Sequence, residues 1–468
     1  MNERPRQAAT RAEPPHIVVV GGGISGLAAA HELLAGAPTQ SRRVTVLEAQ
    51  QRLGGKIRTS PFAGRESVDE GADALLIRVP WAREFTEALG MADELVSPAT
   101  GSAAVWWDGL QPIPQGLLLG LPTDLGQLAR TKLLSWPAKL RAASEVLRPR
   151  TTIETDSIGA WVRARFGDQV HERLVDPLVG SIYAADTDLF SLTAVPQLAE
   201  LAAGPRSVLL GSRQPRAMPT GPVFASPRGG MARLVEVAAQ RIVELGGVIR
   251  TDTPCQTLER DGAGWRVNGT FADAVILACP AAQAARLLPT VGDSLAAIVY
   301  ADVVLFTIAV PRADLPDSIQ GLSGYLVPKP VQNLVTAVSF GSQKWSHWNV
   351  LADGSEADTV VLRISLGRDG LPVLHLSDEL LLDAALTEVG HHLGVSLRPT
   401  ATRISTWHRA FPQYRPHHHR LVAAIEEDLP PSLAIAGASY HGIGIPACIR
   451  SGRRAAASIA DRVLSVVA

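Results

Sequence analysis

Apolar positions along the chain change period several times, and each change predicts an element. His16–Val20 is a near-continuous apolar run, the pattern of a strand buried on both faces, and it opens directly into Gly21-Gly22-Gly23-Ile24-Ser25-Gly26. A helical period over 26–34 and a strand over 44–48 complete a β-α-β unit within 16–58. From about 110 to 205 the pattern turns helical and is broken by prolines, over 125–134, 138–147, 158–166 and 170–178. Residues 201–222, rich in Gly, Pro, Ser and Arg, predict a loop. An amphipathic helix over 231–245 stops at Gly246-Gly247. A strand over 248–251, a hairpin around Asp261-Gly262-Ala263-Gly264 and a buried strand over 274–278 follow. Strand-like runs at 298–310, 333–340 and 360–367 predict a second sheet. Strand 433–436, a glycine loop and helix 446–466 close the pattern.

This order predicts an α/β chain (α+β overall) with a discontinuous dinucleotide-binding domain over 16–77, 222–290 and 425–468. A helical domain over 110–205 and a substrate domain over 78–109 and 291–424 are inserted, and 1–15 reads as a disordered tail. The length of 468 residues suits two or three domains. A net charge of −1 gives no electrostatic reason to expect nucleic acid or an anionic membrane as partner. Cys255, Cys279 and Cys448 show neither metal spacing nor a disulfide framework, which suits a reducing cytosol. No secretory pattern and no apolar run of roughly 20 residues appear, so the expected location is cytoplasmic, with loose membrane association left open. The greasiest patch, 117–121, is bracketed by Pro114 and Pro122 and reads as core or shallow surface contact.

Gly21-x-Gly23-x-x-Gly26 follows a strand and opens a helix, where backbone N–H groups and the helix dipole suit a pyrophosphate. Glu48, 22 residues after Gly26, stands where a carboxylate accepts a ribose diol. That unit alone does not separate NAD from FAD. Gly54-Gly55-Lys56 adds a second glycine pair, with Lys56 or Arg52 beside diphosphate charge. Gly437-Ala438-Ser439-Tyr440-His441-Gly442-Ile443-Gly444-Ile445-Pro446 brings bare backbone to a flat ring. Together the two ends point to FAD. His417-His418-His419 cannot all face one centre, and no metal is expected. His391-His392 reads as a polar helix face. Cys448, at a helix start, reads as packing beside the flavin, with a lowered pKa as the alternative.

The stretch from Glu48 to Arg58, EAQQRLGGKIR, with Glu70-Gly71-Ala72-Asp73 and Arg228-Gly229-Gly230-Met231, resembles the flavin amine-oxidase superfamily, whose FAD domain is Rossmann-like and of the p-hydroxybenzoate-hydroxylase type. Within it, Asp176-Pro177-Leu178-Val179-Gly180-Ser181-Ile182-Tyr183-Ala184, Gly324-Tyr325-Leu326-Val327-Pro328 and Pro412-Gln413-Tyr414 resemble the porphyrinogen oxidases of haem synthesis. Gln111-Pro112-Ile113-Pro114-Gln115-Gly116 and Lys344-Trp345 resemble the Gram-positive, coproporphyrin-forming branch, while Ala103-Ala104 stands where the mitochondrial type carries an arginine. The resemblance runs over about 16–465.

It implies oxidation of coproporphyrinogen III to coproporphyrin III with O2 as acceptor, six electrons and three H2O2 per product. No catalytic side chain is assigned, since flavin N5 carries the chemistry. Gly21, Gly22, Gly23, Ile24, Ser25 and Gly26 would hold the diphosphate, Glu48 and Ala49 the ribose, and the Cys255 backbone the adenine. Lys56, Gly71, Ala72, Asp73, Ala74 and Trp407 would flank the flavin; Ala438, Ile443, Gly444 and Ile445 would lie along its ring and ribityl chain. Ile182 and Tyr183 would line an apolar substrate slot, Tyr414 would cap it, and Arg78 would meet a propionate. A transient contact with the next haem-pathway enzyme stays open. Rival activities are protoporphyrinogen IX oxidation and amine oxidation, which needs an aromatic cage. A rival of another class is a non-catalytic escort protein, which predicts no flavin.

Overall fold

The computed structural model describes residues 13–36, 38, 41–149, 151, 154–204, 206–211 and 222–464; the expected tail up to residue 12 and the predicted loop from 212 to 221 lie outside them. Five parallel strands form one sheet in the order Val248–Arg250, Arg43–Leu47, His16–Val20, Ala274–Leu277, Leu433–Ile435. The unbroken apolar runs have a direct cause. Ile17, Val19, Val46, Ala274 and Ile276 enter the core on one face, and Val18, Val20, Leu47, Val275 and Leu277 enter the core on the other. Each valine, leucine or isoleucine among them contributes on the order of 1.5–3 kcal/mol on burial. The helices Ile24–Ala35, Ala232–Glu244 and Ile445–Ile459 cover the first face. Ile24–Ala35 and Ile445–Ile459 cross so closely that a Cβ at Gly452 would sit 2.0 Å from the Ser25 carbonyl oxygen.

A second, seven-stranded sheet runs Ala401–Gln413, Val299–Pro311, Thr359–Leu366, Val335–Phe340, Gly324–Leu326, Ala104–Trp106, Leu110–Pro112. It is antiparallel except where Gly324–Leu326 meets Ala104–Trp106. Three arginines placed in or against its strands tie it to the hairpin of Thr59–Phe62 and Arg65–Asp69 and to Gly71 just beyond it. Arg65 donates to the carbonyls of Trp348 and Thr359, Arg403 to Ser60 and Val68, and Arg363 to Gly71.

The helical region differs from expectation in detail. The predicted break at residue 178 is absent: Asp168–Val170, a π-helix over His171–Gly180 and Ser181–Tyr183 run on, Pro177 being absorbed in the wider turns. The helix expected over 125–134 stops at Arg130, and the one over 138–147 becomes Trp136–Ala143 plus a 3-10 turn, Ser144–Leu147. The predicted loop 201–222 holds the end of Pro196–Ala203 and the short helix Val208–Gly211. Buried Glu145 organises that part, accepting from Arg165, the Ser207 hydroxyl and the Val208 N–H at 2.7, 2.6 and 2.9 Å. The patch 117–121 is core: Leu121 is buried and Leu117 and Leu118 pack on the helical cluster. Helix Pro80–Ala88 buries Ala82 and Phe85 in the core under the parallel sheet.

Candidate functional site

His16–Val20 and Leu433–Ile435 both pair in parallel with Ala274–Leu277. Their two glycine loops therefore leave the same end of one sheet, two strand spacings or about 10 Å apart. A ligand crevice in an open parallel sheet forms at this carboxyl end.

In the first loop the glycines serve different ends. A Cβ on Gly26 would lie 1.9 Å from the Gly21 oxygen, so Gly26 exists for the closeness of the turn. A Cβ on Gly23 would meet nothing within 4 Å, so Gly23 faces open space. Gly23 also caps helix Ile24–Ala35 without any side-chain bond. The first turn of that helix thus has no side-chain cap on its N–H groups and open space beside Gly23, which fits a diphosphate. The Glu48 carboxylate accepts from Gly22 N–H at 2.8 Å and Gln50 N–H at 2.9 Å, which fixes it at the rim with lone pairs remaining for a diol. Arg52 does not face the diphosphate position suggested by its sequence; its guanidinium donates to the carbonyls of Leu53, Gly55 and Ile57 and closes its own loop. Ala49 is exposed beside Glu48. The Glu48 carbonyl accepts from Thr253 N–H, bringing the Thr253–Cys255 turn to the same rim. Burial pushes the Cys255 thiol up to about 11 and that of neighbouring Cys279 up to about 12, so neither is a reactive thiolate.

Between the two loops lies Lys56. Its ammonium donates to the Ala410 carbonyl, and its surroundings push its pKa down to about 8 by desolvation, against the pull of the nearby Cys448 thiol. Gly71 packs against the Lys56 carbonyl and the Trp407 ring, and the Trp407 indole donates to the Glu70 carbonyl at 3.1 Å. Lys56, Gly71 and Trp407 are therefore brought together. Ala72 is exposed at this point, and Ala74 packs partly against the small core of Phe62 and Trp348. The Asp73 side chain turns away from the cleft. It accepts from Lys344 at 2.9 and 3.0 Å, Arg363 at 3.1 Å and the Trp345 indole at 3.1 Å. Burial alone would raise this carboxyl; Lys344 and Arg363 hold it far below the usual range. Asp73 thus offers the cleft its backbone, not its charge. Arg363 was missed in the sequence, although a single charge inside the apolar strand Thr359–Leu366 is a readable signal.

The second loop carries Gly437, Gly442 and Gly444 at φ +129°, +125° and +100°. Ala438 is half-buried, Ile443 packs on the helical cluster, and Ile445 starts the last helix. Cys448, one turn in, is buried, and burial raises its thiol; the helix start does not lower it.

Tyr414 does not cap an open slot. It is 2% exposed, its hydroxyl donates to the Ala438 carbonyl at 2.5 Å and accepts from Gly442 N–H at 2.8 Å, and its ring stacks on His418 at 3.9 Å. A buried phenol needs such partners, which places it behind the loop. Tyr183 packs on Phe190 in the helical cluster, and Ile182 is 50% exposed at the end of the long helix. Arg78 is exposed in the turn between Leu75–Leu76 and Pro80–Ala88. The three consecutive histidines diverge: His418 stacks on Tyr414, His419 meets the Thr193 hydroxyl and His417 donates its N–H to Asp156. His392 is no polar-face residue; it is buried against Trp106 and shares a 3.1 Å hydrogen bond with Tyr325.

Over residues 24–460 the chain matches the family described as flavin containing amine oxidoreductase. It is 34% identical to a coproporphyrinogen III oxidase of Mycobacterium bovis over 97% of this chain and 99% of that protein. It is 31% identical to one of Propionibacterium freudenreichii over 96% and 92%. A solved structure from Exiguobacterium sp. 255-15, provisionally named a protoporphyrinogen oxidase, superposes with a TM-score of 0.83 at 31% identity, over 96% of this chain and 99% of that one.

Proposed function

The chain belongs to the flavin containing amine oxidoreductase family and its coproporphyrinogen III oxidase branch, and from that membership we propose that it oxidises coproporphyrinogen III to coproporphyrin III, with FAD bound between its two glycine loops and O2 as acceptor. The observation that carries this reading is the emergence of both loops from the same end of one parallel sheet, from the two strands that flank Ala274–Leu277.

When bound, the flavin supplies a hydride acceptor at N5 that O2 reoxidises. The protein's part is holding, orienting and drying. Gly21, Gly22, Gly23, Ile24, Ser25 and Gly26 present backbone N–H groups to the diphosphate. Glu48, with Ala49 beside it, takes the ribose, and the Cys255 backbone meets the adenine. Lys56, Gly71, Ala72, the Asp73 backbone, Ala74 and Trp407 form one flank; Ala438, Ile443, Gly444 and Ile445 form the other. Ile182 and Tyr183 supply apolar surface for the macrocycle, and Arg78 supplies charge for a propionate at its edge. No base is assigned, because aromatisation itself favours loss of the hydrogens.

The division into a nucleotide-binding unit, a substrate unit built on the seven-stranded sheet and a helical unit belongs to this reading. Among the described residues no helix is long and apolar enough to cross a membrane. We place the protein in the cytoplasm; exposed Trp136, Leu140 and Leu147 on the helical unit support a loose, transient contact there, with a membrane or with the next haem-pathway enzyme. Tyr414 and Tyr440 are both buried and build no cage for an amine.

Turnover of coproporphyrinogen III and protoporphyrinogen IX, measured side by side by porphyrin fluorescence, tests the assignment. Preference for the first is expected. Equal or opposite preference overturns the substrate, and a folded protein that takes up no FAD overturns the whole reading.

A further inference from the structure

We infer that Tyr414 is a positioning residue for the flavin: its hydroxyl sets the shape of the 437–444 loop and couples that loop to the wall of the substrate slot. This rests on the proposed seating of FAD against the loop. With three glycines at positive φ the loop has little conformational preference of its own. Its backbone bonds are few; Tyr440 N–H reaches Gly437 at 3.4 Å. Other elements hold it instead. Ser451 accepts from Gly437 N–H at 3.0 Å, Tyr300 meets the Ser439 hydroxyl at 2.8 Å, and Glu426 meets His441 at 2.8 Å. Each of these reaches a single residue. Tyr414 grips two points, the Ala438 carbonyl and the Gly442 N–H, so its one oxygen fixes the span between them.

The tyrosine is itself immobilised. Its ring lies parallel to Phe190 at 5.8 Å (8°) on one side and to His418 at 3.9 Å (7°) on the other. Burial raises its pKa well above the ordinary phenol, so the hydroxyl keeps the proton it donates. The Tyr414 carbonyl accepts from Ser191 N–H at 2.7 Å, and the adjacent Gln413 amide donates to the carbonyls of Tyr183 and Ala184 at 3.2 and 3.3 Å. Residues 413 and 414 therefore touch both the flavin loop and the Ile182–Tyr183 wall. A shift of that wall when a macrocycle enters is transmitted to the loop through one rigid side chain.

Tyr414→Phe keeps the ring and deletes both loop bonds. In FAD-loaded protein it should alter the flavin absorption envelope and slow anaerobic flavin reduction by porphyrinogen by about tenfold or more, with KM changed less than about threefold, the cost of a small misplacement at the reacting carbon. Phe166→Leu, which removes a buried ring packed on Trp161, serves as a variant of lowered Tm; its flavin spectrum and reduction rate should match the wild type. If Tyr414→Phe matches the wild type in spectrum and reduction rate, or if Phe166→Leu slows reduction equally, the inference falls while FAD binding by the wild type still stands. Should Tyr414→Phe not accumulate, 3-fluorotyrosine at 414 retains the ring and changes the acidity of the hydroxyl. It must then shift the flavin spectrum, and an unshifted spectrum also overturns the proposal.

Discussion

The loop between Val20 and Ile24 is held by its neighbours in sequence. Gly21 N–H donates to Leu47, Gly22 N–H to Glu48, and Gly54 N–H to Gly22, all within one β-α-β unit. The loop between Gly437 and Gly444 is held by side chains of Tyr300, Tyr414, Glu426 and Ser451, drawn from one strand, the residue that follows another and two helices. One loop is a property of local chain geometry, and the other is a product of the finished tertiary structure. Damage to the first should therefore be steric and abrupt, and damage to the second graded.

The largest expected effect contrasts two glycines of the first loop. Gly26→Ala drives a methyl group to within 1.9 Å of a backbone oxygen and should abolish soluble folded protein. Gly23→Ala has room in the polypeptide and a compatible φ of −72°, so the protein should melt as the wild type does without cofactor while its FAD affinity falls by about tenfold or more. Thermal melts with and without FAD, together with flavin content, check both; an unchanged FAD affinity in Gly23→Ala would show that the open space is not the diphosphate seat. Next in size, Glu48→Ala should weaken FAD by about ten- to a hundredfold, the range of a hydrogen-bonded charge. Equilibrium dialysis measures it, and full retention removes Glu48 from the ribose. In the second loop, Ser451→Ala leaves Gly437 N–H without its acceptor and should cost only about 1 kcal/mol, with flavin content near normal. A colourless Ser451→Ala protein would show that single tethers matter as much there as sterics do at Gly26.

Acid should separate the regions most gently. Burial lowers His418, behind the second loop, to about 4, and likewise His347 and His392. These rings stay neutral in the folded state while an unfolded histidine titrates near its ordinary 6.5. The stability they contribute is fully present above 6.5 and is lost as pH falls toward 4. Asp69, which caps the Ala232–Glu244 helix through Met231 N–H at 2.9 Å, is raised to about 6 by burial. Its contribution has the opposite sign, full below the ordinary carboxyl range and lost as pH rises through 6. Melting temperature against pH for the wild type and Asp69→Asn should differ in slope around pH 6; coincident curves would contradict the assignment to Asp69.

What was legible in the chain follows the same division. The first loop, Glu48 and the five parallel strands were readable because each is encoded by a run of adjacent residues with its own period. The second sheet was readable as strands, but the buried charges that fasten it, Arg65, Arg363 and Arg403, were not, since their partners lie hundreds of positions away. Tyr414 shows the limit plainly. An aromatic residue near a suspected slot suggests stacking on a ligand, and nothing in its neighbours reveals that its hydroxyl is spent on Ala438 and Gly442. The ion pairs of Asp73 were hidden for the same reason, coming from Lys344 and Arg363.

The parallel sheet takes its fifth strand, Leu433–Ile435, and the helix that wedges Gly452 against Ser25 from the far end of the chain. During synthesis the first strand and helix emerge long before Ala274–Leu277 and the last helix, against which they pack, exist. Their apolar faces must wait, shielded or chaperoned, while several hundred residues are made, and the cofactor has no complete pocket to enter until ribosomal synthesis has passed that last helix. Cofactor loading is thus a late quality check on assembly: a chain cut short anywhere before residue 452 lacks the packing that completes the pocket.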